Sequence, residues 1–301
     1  MLSSDMSTPY FFDVHTHAHF AAFHDDGDEV IKRALDAGVW TVNVGTQRDT
    51  SRAAIETAER YERGVYAAVG LHPIHTEKSY HDAKELGLPP FGGRTAKNAK
   101  SKSKSGSGFV SRGEDFDYDY YKNLAQHPKV VAIGECGLDY YRSERHAARS
   151  KQKAVFEQHI ALARELGKPL MVHCRNGFGD LIELLKAKSY QLKAGGVVHF
   201  FTGTVDDARV LLDMGFSFSF GGVTTFTSDY DEVVRFIPLD HILSETDAPY
   251  VTPVPYRGTR NEPLYVREVV RRIAEIRGEE YERVRETLVQ NALRCFAVGR
   301  S

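Results

Sequence analysis

Six residues of the kind that hold metal ions recur at one kind of position in this chain. His15 and His17 end the run FFDVHTH, Glu135 ends VVAIGE, His173 ends PLMVH, His199 ends GGVVH and Asp247 ends ILSETD. Each run is short and apolar or β-branched, the composition of a strand buried on both faces. Each leads into a loop. Ligands from five separate strand ends meet at one point if the strands ring a common mouth. A closed parallel barrel provides that mouth, whereas a doubly wound open sheet does not naturally do so.

The rest of the chain keeps the same rhythm. Candidate strands are Tyr10–His17, Trp40–Gly45, Val65–Gly70, Val130–Glu135, Pro169–Cys174, Gly195–Phe200, Phe216–Gly221 and Ile242–Asp247. Helical stretches fall between them at Glu29–Asp36, Thr50–Glu62, Glu144–Leu166 and Val205–Met214, with Gly38, Gly64, Gly167 and Gly215 as stops and Thr204 as an N-cap. Two amphipathic stretches, Leu264–Ile276 and Glu279–Ala297, follow the last strand. The pattern predicts an α/β protein, a (β/α)8 barrel with an extra C-terminal helix, as one domain over residues 1–301.

One segment breaks the rhythm. About sixty residues separate the third and fourth strands, where a βα unit needs roughly half that. Within it, Gly92–Gly113 carries six Lys/Arg and no acid, and EDFDYDYY follows at once. The basic stretch reads as a flexible surface insertion, with a mobile arm that contacts phosphates as the alternative.

Composition excludes several classes. Charged residues make up 27% and the net charge is −2, so bulk charge gives no sign of a polyanion partner. Three cysteines, Cys136, Cys174 and Cys295, have no CxxC spacing and suit a reducing compartment. No basic-then-apolar leader opens the sequence, and no apolar run approaches the roughly 18 residues of a membrane span. The expectation is a cytoplasmic enzyme without membrane association or an obligate protein partner.

His15 and His17, two apart on a strand, face the same side and can hold one cation. His173 and His199 come from neighbouring strands and can hold a second. Glu135 can bridge the two, and Asp247, from the strand that closes against the first, can ligate and also take a proton from water. Paired cations on such a set do hydrolysis best. Mixed nitrogen and oxygen donors accept Mg, Mn or Zn. By strand alternation Cys136 and Cys174 point away from the ligands and pack.

FFDVHTHAHF, AAVGLHP, VVAIGECGLDYY, KPLMVHCRN, VVHFFTGT, LSETDAPYVTP and RNEP occur in this order along nearly the whole chain. In these stretches the chain resembles the TatD family of metal-dependent deoxyribonucleases, within the amidohydrolase-like barrels. The resemblance implies two divalent ions held by His15, His17, Glu135, His173, His199 and Asp247. It also implies a DNA substrate, commonly 3′ ends of single strands. The basic insertion departs from the family's compact pattern.

With that substrate, Asp247 and Glu135 are the candidate catalytic residues. Arg175 is a candidate phosphate contact because guanidinium matches phosphate bidentately. His72, Arg142, Tyr250, Arg260 and Asn261 are further candidates for substrate contact, and Tyr140 or Tyr141 for base stacking. Two other readings compete. One is a barrel hydrolase acting on small-molecule esters or amides. The other is a non-catalytic nucleic-acid-binding protein that uses the basic arm. Relatives that bridge their metals with a carboxylated lysine carry it at the end of the fourth strand, where this chain has Glu135.

Overall fold

The computed structural model describes residues 8–78, 80–81, 109–110, 112–141, 146–188 and 195–299. Eight parallel strands form one sheet in chain order: β1 (Phe11–Thr16), β2 (Val39–Val44), β3 (Val65–Val69), β4 (Val130–Asp139), β5 (Leu170–Arg175), β6 (Gly196–Val198), β7 (Phe216–Phe220) and β8 (Ile242–Ser244). Between them run α1 (Gly27–Asp36), α2 (Arg48–Glu59), α3 (Tyr118–Ala125), α4 (His146–Leu166), α5 (Phe178–Lys188), α6 (Val205–Asp213) and α7 (Asp231–Phe236). Helices α8 (Val266–Arg277) and α9 (Tyr281–Cys295) follow. The fold is a nearly closed (β/α)8 barrel, as the strand pattern implied.

The seam between β8 and β1 is closed by an unusual set of bonds. Ser244 Oγ donates to the Phe12 carbonyl at 3.1 Å, and Thr246 N donates to Asp13 Oδ1 at 2.9 Å. Beyond them, Asp247 N reaches the His15 carbonyl at 2.9 Å and His17 N reaches the Ala248 carbonyl at 2.8 Å. The side chain of Asp13 thus stands where a backbone ladder would run. Its carboxyl is pushed well above the usual range, first by burial, against the two hydrogen bonds from Thr246.

Apolar packing comes in two parts. The larger cluster lies between strands and helices and includes Val65, Ala67, Ile55, Tyr121, Phe156, Cys136 and Cys174. The cysteines therefore pack, as alternation implied. A second cluster joins Phe12, Val42, Ala68, Met171, Val197 and Leu243, from β1, β2, β3, β5, β6 and β8, with Leu293 and Phe296 at the chain's end. Side chains from strands so far apart in the sheet order meet only inside a closed barrel.

Several expected boundaries shift. Strand β4 runs on to Asp139, four residues past its expected end. It can do so because Gly134 and Gly137, at φ of +151° and +139°, let β4 press against β5. A Cβ at Gly137 would stand 2.0 Å from the His173 carbonyl oxygen. Strands β6 and β8 are shorter than expected, so His199 and Asp247 lie just beyond them. Helices α3, α5 and α7 add to those read from the pattern. In α3 the acidic tyrosine run is capped by Asp117, which accepts from Tyr120 N at 3.1 Å, and Tyr121 is buried against the core.

Residues 92–108 and 111 of the basic insertion lie outside the described residues, as does Arg142. Just before and within it, Tyr80–His81 and Phe109–Val110 pair as a two-residue antiparallel ladder. Among the described residues, no helix is long and apolar enough to cross a membrane.

Candidate metal centre

The C-terminal ends of the strands bring all six expected ligands to one mouth, with Glu135 in the middle. Glu135 Oε2 lies 3.4 Å from His15 Nε2 and 3.8 Å from His17 Nε2. Its other oxygen, Oε1, lies 2.8 Å from His199 Nε2 and 3.0 Å from His173 Nδ1. One carboxylate oxygen thus faces each histidine pair. Asp247 Oδ1 sits 3.3 Å from His17 Nε2 and 3.8 Å from His15 Nε2.

The first half of the centre is built locally. Nε2 of His15 and Nε2 of His17 are 3.3 Å apart, and His17 Nδ1 is 2.7 Å from the Val44 carbonyl. That carbonyl can only accept, so Nδ1 carries the proton and Nε2 presents its lone pair to the centre. His15, His17 and Asp247 together form a set that could hold a cation.

The second half draws on more of the fold. His72, just past β3, places Nε2 3.0 Å from Glu135 Oε1 and groups with Glu135 and His173 as another set that could hold a cation. His72 was expected to touch substrate; here it is buried against the carboxylate of Glu135. Asp139 Oδ2 lies 3.0 Å from His173 Nε2, so it orients that ring with Nδ1 toward Glu135. Behind His199 stands Glu245, its Oε1 3.7 Å from His199 Nδ1. Sequence reasoning missed both acids. Asp139 was legible, because it is four residues after Glu135 and shares its face of the strand. Glu245 lies two residues before Asp247 in the same ETD run.

Electrostatics follow from so many groups around one carboxylate. Burial opposes ionisation of Glu135, but His72, His199 and His15 outweigh it and hold its carboxyl well below the usual range. His199 is also buried, yet Glu135 raises it well above an ordinary histidine. His173 is raised against its burial by Asp139 and Glu135. Burial wins at His72, which falls to about 4, and at His15, lowered further by His199. Buried imidazoles and carboxylates arranged this way fit divalent ions, whose charge would balance the carboxylates.

Other expected contacts divide. Arg175, at the end of β5, lies with its guanidinium 3.7 Å over the Tyr141 ring, and Tyr141 is 47% exposed. Tyr250 stands beside His17, ring centroids 6.3 Å apart, with its hydroxyl raised by burial and then by the charge of Asp247. Arg260 and Asn261 are committed elsewhere. Arg260 pairs with Asp26 through both carboxylate oxygens and donates to the Ala22 carbonyl. Asn261 is buried and donates to the carbonyls of Thr246 and Tyr250, bracing the loop that carries Asp247. Both residues therefore shape the mouth rather than face it. Asp247 itself has φ of +54° and Val251 has +48°, backbone strain of the kind that collects at functional loops.

A (β/α)8 barrel with histidines and carboxylates gathered at its C-terminal mouth is the frame of a metal-dependent hydrolase. Residues 12–297 match the model of the TatD-related DNase family, and the chain belongs to it. It is 36% identical over 291 residues to YabD of Bacillus subtilis, an uncharacterized metal-dependent hydrolase, covering 96% of this chain and 99% of the relative. A 3′-5′ ssDNA/RNA exonuclease, TatD of Pantoea vagans, is 33% identical over 300 residues, covering 96% of this chain and all of the relative. Among solved structures, the TatD homologue YjjV of Escherichia coli superposes with a TM-score of 0.75 at 25% identity, covering 97% of this chain and 100% of that one.

Proposed function

We propose that this protein hydrolyses phosphodiester bonds of single-stranded DNA from the 3′ end with two divalent cations. The observation that carries this reading is the placement of Glu135, with one oxygen toward His15 and His17 and the other toward His173 and His199. With the two histidine pairs, a carboxylate so placed would hold two cations. Such cations, when bound, acidify water and neutralise charge on a phosphate.

The residues then divide the work. Asp247 is the base. Its side chain is 17% exposed against 4% for Glu135, so it faces the solvent from which water and substrate arrive. It takes a proton from water as the water oxygen bonds to phosphorus. The bond from phosphorus to the 3′ oxygen breaks, and that oxygen leaves with a proton from solvent. His173, fixed by Asp139, and His17, fixed by the Val44 carbonyl, keep their ligating nitrogens aimed inward.

Features at the mouth favour a nucleic acid over a small ester. Among the described residues, the exposed large apolar side chains are Tyr141, Phe226 and Val254, which follow β4, β7 and β8. They share the face of the metal centre. Tyr141 lies under Arg175, and Phe226 under Arg257 at 4.1 Å. An aromatic face backed by guanidinium stacks a splayed base of any sequence and attracts its phosphate. The related exonuclease supports the 3′-5′ direction.

The test is digestion of 5′-labelled single-stranded DNA with Mg2+ or Mn2+, resolved on a sequencing gel beside a panel of small esters. A ladder shortening from the 3′ end, abolished by EDTA and by Asp247→Asn, is expected. Undiminished cleavage by Asp247→Asn, or turnover of esters without DNA, overturns the reading.

A further inference from the structure

Behind the ligands lies a second set of polar atoms that the cations do not use. Nδ1 of His15, Nδ1 of His199 and Oε1 of Glu245 are buried and have no hydrogen-bond partner among the described residues. His15, His199 and Glu245 each bring a nitrogen or carboxylate oxygen within 4.8 Å of the other two. The two imidazoles stack, centroids 3.8 Å apart and planes 10° from parallel. Both turn Nε2 toward Glu135, so both turn Nδ1 the other way. The second oxygen of Glu245 is held by the Ser219 hydroxyl.

Proton counting decides what such a node can hold. A neutral imidazole has one lone pair and one N–H. If His15 and His199 give their Nε2 lone pairs to the metal centre, both Nδ1 atoms carry hydrogen and must donate. Glu245 Oε1 must accept. A cation cannot satisfy two donors, but one water can: it accepts from both Nδ1–H groups and donates to Glu245. Its partners then fall within the two to four that buried waters keep. Leaving three such atoms unpaired would cost on the order of several kcal/mol.

We propose that Glu245, through one buried water, is a positioning residue shared by both halves of the metal centre. It fixes the tautomer of His15 on β1 and of His199 beyond β6 at once, and so couples the two cation sites from beneath. The inference rests on the two-cation reading above and deepens it.

Equilibrium dialysis against Mn2+ without substrate tests it, together with the visible absorption of the cobalt-loaded protein and melting in EDTA. The wild type is expected to bind two equivalents. Glu245→Ala should raise the midpoints of both by about 10–100-fold and shift the cobalt spectrum. Glu245→Gln, which keeps an acceptor oxygen, should recover most of that loss. Unchanged midpoints in Glu245→Ala, with only a lower melting temperature in EDTA, overturn the positioning role. Three equivalents in the wild type, falling to two in Glu245→Ala, put a cation in the node and overturn the water. A wild type that binds no divalent ion overturns the two-cation reading itself, and this inference with it. Should Glu245→Ala fail to fold, Ser219→Ala loosens the same carboxylate. It should raise both midpoints by a smaller factor, and unchanged midpoints again count against the proposal.

Discussion

The two halves of the candidate metal centre are built on different plans. His15 on β1 and His17 just past its end sit two residues apart, and a neighbouring backbone carbonyl fixes His17. Asp247 reaches them across a seam only one strand away. The other half takes His72, His173 and His199 from the ends of three strands, with Asp139 and Glu245 behind them. A local half tolerates movement elsewhere, because its geometry is fixed by alternation along one chain segment. A distributed half depends on the register of every strand that feeds it.

The largest expected effect comes from removing the member common to both. Glu135→Ala should lower phosphodiester cleavage by about a thousandfold or more, since it loosens two cations that each contribute several kcal/mol. Single-turnover rates at saturating metal would measure it. A variant within tenfold of wild type would show that the halves work independently.

Next is a prop of the distributed half. His159, buried in α4, accepts from Leu71 N at 3.0 Å through Nε2, and its Nδ1 donates to the Val155 carbonyl at 2.8 Å. Leu71 immediately precedes His72. Burial lowers His159 to about 4 from an unfolded value of 6.5. The folded protein therefore binds fewer protons than the unfolded chain between those values. The contribution is fully present above pH 6.5 and is lost as pH falls from 6.5 to 4, roughly 3 kcal/mol in all. Urea unfolding across that window should show the fall in wild type and a flatter profile in His159→Gln, which keeps both hydrogen bonds without a titrating ring.

The comparison sharpens when one ligand is removed from each half. His17→Ala should lose one cation and leave the other within about tenfold of its affinity. His199→Ala should weaken both by about 10–100-fold, because its ring stacks on His15 as well as touching Glu135. Metal analysis after dialysis distinguishes the two, and equal losses would erase the distinction between local and distributed.

The smallest effect lies at the rim. Tyr141→Ala should raise KM for single-stranded DNA by about tenfold with kcat little changed, the size expected for one lost stacking contact. A purely lower kcat would move Tyr141 from substrate binding into support of Arg175.

Much of this was legible in the chain because the barrel repeats one physical rule. Each strand is an apolar run, and five of them end in a group too polar to bury alone, so eight strands and six candidate ligands stand out in order. The HxH pair required only the two-residue period of a strand. Helix α7, six residues long, was not legible, because so short a helix is held by its neighbours: Asp231 at its start takes Arg272 of α8.

The sequence by itself determined the fold class and singled out the candidate residues of the local half. Tertiary structure decided the rest. It turned Arg260 and Asn261 into loop braces, drew His72 onto Glu135, and put Asp139 and Glu245 behind the histidines. Alternation says which side a residue faces, but not which oxygen of Glu135 meets which ring. That depends on strand register around a closed barrel, which becomes fixed only when Gly134 and Gly137 let β4 close on β5 and the bonds of Asp13 and Asp247 shut the seam.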